Sequence, residues 1–145
     1  QLARRRKGDV TRGLAIFEKT CANCHKLHGK GTQIGPDLTG AERKDLLKLI
    51  RNIVDPSSEV RPQYISYIAV TESGRVITGL LADSNAKSMT LLDPKNKRVV
   101  LSRTDIEVLR ESPVSLMPEK LLDPLSDQQI RDLLAYVQSD GPNSK

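Results

Sequence analysis

Both cysteines and both histidines of this 145-residue chain lie between positions 21 and 28, in CANCHKLH. Thiolate sulfur and imidazole nitrogen are good ligands for the softer metals, so this gathering points to metal or redox chemistry. Several chemistries compete for Cys21-Ala22-Asn23-Cys24-His25. A structural zinc site needs four ligands, usually with a second Cys or His pair at a distance, and here the other histidine, His28, is close by. A thioredoxin-like redox pair wants a βαβ context, whereas the flanking patterns are helical. A disulfide between the two cysteines closes a tiny loop and stabilises little. C-x-x-C-H is also the signature of covalent haem attachment. On a helical turn, residues 21, 24 and 25 share one face, so two thiols can bond the haem's vinyl groups while the His25 imidazole meets the iron. The five-residue motif recurs by chance, so its surroundings must decide.

Those surroundings begin with a helical pattern from Asp9, in which Val10, Leu14, Phe17 and Cys21 recur at spacings of four, three and four. Gly13 within it is costly for a helix and permits close approach by another one. A Gly-rich loop follows from Gly29 to Gly40, containing Gly35-Pro36-Asp37-Leu38. A second helix is predicted over about residues 42–54, with Leu46, Leu49, Ile50 and Ile53 on one face and Asp55-Pro56 as its stop. Then the texture changes. Residues 64–71, 75–83, 88–93 and 98–102 are short β-branched or apolar runs separated by turn residues, which predicts a small antiparallel meander. A short helical turn is predicted over 104–110, then a loop through Met117 and Pro118. Ser126 and Gln129 form a capping-box pattern before Ile130, Leu133, Leu134 and Val137, which predicts the last helix; Gly141-Pro142 ends it.

Composition narrows the function classes. Aromatic residues make up 3 % of the chain and there is no Trp, a thin supply of core bulk that fits either a non-protein group in the core or a plain aliphatic one. The net charge is +5, but Arg4, Arg5, Arg6 and Lys7 carry four of those charges. A like-charged run of this kind reads as a solvated tail, and no aromatics interleave with it as a stacking platform for bases. Nucleic-acid binding is therefore not expected. No run of 18 apolar residues exists, so no membrane span is expected in this fragment. The chain lacks an initial Met and reads as a mature or excised piece. The expected layout is a basic linker at 1–8, a single domain at 9–140 with a β insertion at about 63–103, and a tail at 141–145.

Taken together, Gly13 and Phe17, Cys21 to His25, Gly35-Pro36-Asp37-Leu38, Met117, and Leu133 with Tyr136 resemble the class I c-type cytochromes. The GPDLTG loop, IVDPSSEVRPQY, ESGRVITGLL and SLMPEKLLDPLSDQQI resemble more closely the haem-binding domain of planctomycete and verrucomicrobial proteins. The resemblance implies a mainly α cytochrome c fold, about three to four helices around one haem c bound through Cys21 and Cys24. It also implies that the Pro36 carbonyl accepts a hydrogen bond from His25 Nδ1–H, a contact that fixes the ring and tunes the metal. Gly13 would mark the crossing with the last helix.

The candidates for a second axial ligand are His28, Met89 and Met117. His28 starts on the same side as His25 and can hardly reach the opposite face of the haem. Met89 alternates with Leu91 in a strand pattern and reads as core. Met117 lies in a Pro-bounded polar loop and, by the resemblance, takes the sixth position. Arg61 and Tyr64 are candidate donors to the haem propionates. The expectation is a single-electron carrier with no catalytic residues, partnered by redox proteins or by a fused dehydrogenase domain. By the attachment chemistry it would sit in the periplasm or an equivalent compartment. The alternatives are a haem peroxidase or gas sensor with a labile Met117, and a non-haem module whose cysteines are a reduced thiol pair.

Overall fold

Asp9 starts the first helix because its carboxylate accepts the Arg12 backbone N–H, satisfying one of the orphan donors at a helix start. In the computed structural model, which describes residues 7–141, this helix (α1) covers Val10–Thr20. The basic run at Arg4 to Arg6 and the tail from Pro142 lie outside the described residues. The chain divides into two compact units, residues up to 54 with 119 onward forming one and 55–118 the other.

In the first unit, α1 is followed by a two-residue hairpin, β1 (Lys26–Leu27) and β2 (Lys30–Gly31). Helix α2 covers Leu46–Val54, four residues shorter at its start than the range of about 42–54 predicted from sequence, though its apolar face begins where expected. Asp45 explains the difference: its carboxylate accepts the Lys48 N–H and its carbonyl the Leu49 N–H, so the helix begins there. Helix α3 covers Asp127–Gln138 behind a complete Ser126–Gln129 capping box. Phe17, Leu27, Leu49, Leu133, Tyr136 and Val137 form the buried cluster. Phe17 and Tyr136 meet with ring centroids 5.3 Å apart at 55°, a tilted pair contributing about 0.5–1.5 kcal/mol beyond the area it buries.

Gly13 is the crossing point of α1 and α3. A Cβ there would lie 1.9 Å from the Asp132 carbonyl oxygen and 2.7 Å from Tyr136 Cβ, so only glycine lets the helices come this close. Beside the crossing, the Asp132 carboxylate accepts the Asp9 N–H at 2.8 Å, Arg12 Nε–H at 2.8 Å and the Gln128 amide at 2.9 Å. That carboxylate, almost fully buried, ties the start of α1 to α3.

The second unit is an antiparallel sheet of β3 (Ser66–Thr71), β4 (Val76–Ser84), β5 (Ser88–Leu92), β6 (Arg98–Ser102) and β7 (Ile106–Glu111). The first four match the runs read from sequence. The helical turn predicted over 104–110 is instead a 3-10 turn at Arg103–Asp105 followed by β7. Ile106 and Leu109 imitate helical spacing, but β3 has an open edge, and pairing β7 with it satisfies a row of backbone groups that a local helix would leave bare. The strand order is β6-β5-β4-β3-β7, and only the 3-10 turn joins the two outer strands. The sheet must therefore curl. Ala69, Ile77, Met89, Leu91 and Leu101 fill its concave side. The five strands hold nearly as many residues as the three α-helices, so the mainly α expectation is corrected to helices plus a substantial sheet.

Candidate metal centre

The first helix does not stop cleanly at Thr20. Cys21 N–H donates to the Phe17 carbonyl at 2.8 Å, Cys24 N–H to Cys21 at 3.1 Å, and His25 N–H to Cys21 at 2.9 Å. The last of these spans four residues, as in a helix, and places Cys21, Cys24 and His25 on one side of a single turn. Both thiols are free and half-buried. Burial, with a smaller contribution from Cys24, pushes the Cys21 thiol up to about 11, and burial raises Cys24 as well. Reactive redox cysteines have lowered pKa values, so these thiols lack the electrostatics of a thiolate pair.

The His25 ring is held by the loop after β2. Its Nδ1 lies 2.9 Å from the Pro36 carbonyl oxygen. A carbonyl can only accept, so Nδ1 carries a proton, and in the neutral ring the lone pair is then on Nε2. Gly35 makes this approach possible, since a Cβ there would lie 2.8 Å from His25 Cε1. Ile34 and Gly35 N–H both donate to the Cys24 carbonyl, at 3.0 and 2.7 Å, fastening the loop to the motif.

His28 has a different job. It takes φ +52° in the β1–β2 turn, its Nε2–H donates to the Ser139 carbonyl at 3.1 Å, and its ring stands edge-on to Tyr136. Met89 is buried among sheet residues. Arg61, Tyr64 and Met117 belong to the second unit. Arg61 is exposed and precedes a 3-10 turn at Pro62–Tyr64, where Tyr64 is half-buried. Met117 is half-buried, and its N–H donates to Ser115 Oγ at 3.1 Å.

Sequence reasoning missed Arg43 and Asp132, both buried. Arg43 sits in the charged run AERK, which reads as a solvated helix start. Asp132 did carry a signal, because it lies four residues before Tyr136 on the same helix face. Arg43 Nε and Tyr136 Oη are buried without a partner among the described residues, and both are donors. An acceptor such as an ordered water suits them.

Among the described residues, no three His, Cys, Asp or Glu side chains converge on a point for a bare metal ion. Two thiols and an imidazole lone pair on one turn instead fit a metal that arrives inside a larger group bonded to the cysteines. The comparisons agree with this chemistry. Residues 10–69 match the cytochrome c family, which supports a c-type cytochrome domain in this part of the chain. The cytochrome c-553-like protein of Synechocystis sp. is 39 % identical over 59 residues, 40 % of this chain and 55 % of that protein. The chain thus spans about half the length of its curated relative. Proteins of the matched family bind covalent haem c through cysteines, and Cys21 and Cys24 are the cysteines this chain has for it. No helix among the described residues is long and apolar enough to cross a membrane.

Proposed function

We propose that residues 9–140 form a mono-haem c-type cytochrome domain, interrupted by the curled sheet, that carries single electrons. Cys21 and Cys24 would hold the cofactor by thioethers, His25 would bind its iron through Nε2, and Met117 would be the second iron ligand. The observation that carries this reading is the hydrogen bond from His25 Nδ1–H to the Pro36 carbonyl, which leaves Nε2 of the ring available to a metal. When bound, haem supplies one-electron redox chemistry; the chain supplies ligation and a low-dielectric surround. Two protein ligands on the iron would favour an electron carrier over a peroxidase or gas sensor.

Arg61 and Tyr64 serve as donors to the haem carboxylates. The parent protein is a larger dehydrogenase-like oxidoreductase of the planctomycete and verrucomicrobial kind, with this domain as its electron-transfer module. Other redox proteins are the remaining partners. Its compartment is the periplasm or an equivalent space, where haem is joined to reduced thiols after export. Denaturing mass spectrometry on protein matured with a haem-attachment system tests the core of this reading. The expected mass is the polypeptide plus one haem, and a bare polypeptide mass refutes it. A ferric spectrum with a Met–iron charge-transfer band is expected, whereas a high-spin band would favour the enzyme or sensor alternative.

A further inference from the structure

The Pro36 carbonyl can orient His25 only if its loop stays in place. The near end of that loop is fastened through Ile34 and Gly35 to Cys24. The far end depends on the carboxyl end of α3, where unpaired carbonyls and the negative end of the helix dipole attract cations. Arg43 Nη1 donates to the Val137 carbonyl at 2.5 Å and to Ser139 at 2.7 Å, and Nη2 reaches the Thr39 carbonyl at 3.4 Å. Gln138 returns the contact, its Nε2–H donating to the Arg43 and Lys44 carbonyls, both at 3.1 Å. Arg43 is 8 % exposed, whereas Lys44, on the Gln138 carbonyl, is exposed. One planar guanidinium thus joins carbonyls of two segments, a task for which a single ammonium is poorly shaped.

We propose that Arg43 is a positioning residue for the axial imidazole: it pins the loop after β2 to the end of α3, so that the Pro36 carbonyl stays on His25 Nδ1–H. The inference rests on the haem reading above. Losing the pin loosens the hydrogen bond, makes the imidazole a weaker donor and so raises the reduction potential.

The test uses the haem-loaded protein with Arg43→Met, Arg43→Lys and Gln138→Ala, and Met89→Ala as a variant destabilised elsewhere. Exchange of the His25 Nδ1 proton is followed by NMR and the midpoint potential by titration. Arg43→Met should exchange that proton about tenfold faster, the size expected for one weakened hydrogen bond, at a raised potential. Arg43→Lys should recover part of both, Gln138→Ala should shift both less, and Met89→Ala should move neither. If Arg43→Met does not fold, the Lys and Gln138 variants decide alone. Parent-like exchange and potential in the Arg43 variants overturn the proposal, as does an equal shift in Met89→Ala. Failure of the haem reading is separately visible as a missing haem mass, and Nδ1 exchange in the haem-free chain then still reports on Arg43.

Discussion

Cys21 and Cys24 are set apart from reactive thiols by burial. With the Cys21 thiol raised to about 11, the haem-free protein should alkylate slowly at neutral pH and accelerate only as pH climbs toward that value. The folded haem-free chain keeps its proton where an unfolded thiol, ionising near 9, has lost it. This contribution is complete below about 9 and disappears as pH rises through about 11. An iodoacetamide rate profile levelling near pH 7 would contradict the assignment. The two methionines are separable in the same way. Met117→Ala should lower the potential, turn ferric iron largely high-spin and admit CO, because a soft neutral thioether favours ferrous iron. Met89→Ala should leave the spectrum alone and cost about 2–5 kcal/mol in denaturant unfolding, as a core truncation does. A six-coordinate low-spin spectrum in Met117→Ala would remove it from the iron.

At the scale of elements, the α1–α3 crossing holds the turn that carries the motif. Gly13→Ala drives a Cβ into the backbone carbonyl of Asp132, which cannot swing aside as a side chain would. The expected loss is about 3 kcal/mol or more, beyond ordinary overpacking, read from the denaturant midpoint. Asp132 gives the same junction an acid limit. Hydrogen bonding from Arg12 foremost, with the Asp9 N–H and Gln128, holds its carboxyl down at about 2 against burial. Because the folded value lies below the ordinary one near 3.8, the stabilisation is complete above that pH and fades as pH falls through about 2. Asp132→Asn should flatten the stability curve between those values. An unchanged slope would show that other carboxylates set it.

For the whole molecule, the curled sheet is the largest departure from a helical haem protein. It lacks cysteine and histidine, which points to packing or docking rather than chemistry. Removing only residues 63–103 would leave β7 without β3, exposing a bare strand, so a clean test removes Ser66–Glu111. That deletion should preserve haem attachment while impairing electron transfer to the native partner. Unimpaired transfer would refute the docking role.

Local signals alone marked the C-x-x-C-H pattern, the Asp9 and Ser126 helix starts, the first four strands of the sheet, and Gly13 as a place for close approach; the resemblance of the surroundings gave the pattern its haem reading. Each rests on contacts within a few residues or on a periodicity that survives in isolation: a cap, a turn, an alternating face, a residue without Cβ. Tertiary structure decided the rest, because the determining partner lay far along the chain. Ile106 to Glu111 became a strand because β3, some forty residues earlier, offered an unpaired edge. Arg43 was buried because α3 ends beside it with unpaired carbonyls, and Asp132 because α1 begins beside it with a free N–H and a guanidinium. A charged residue in a sequence reads as solvated. Only a fold that brings it a complementary helix end makes burial favourable.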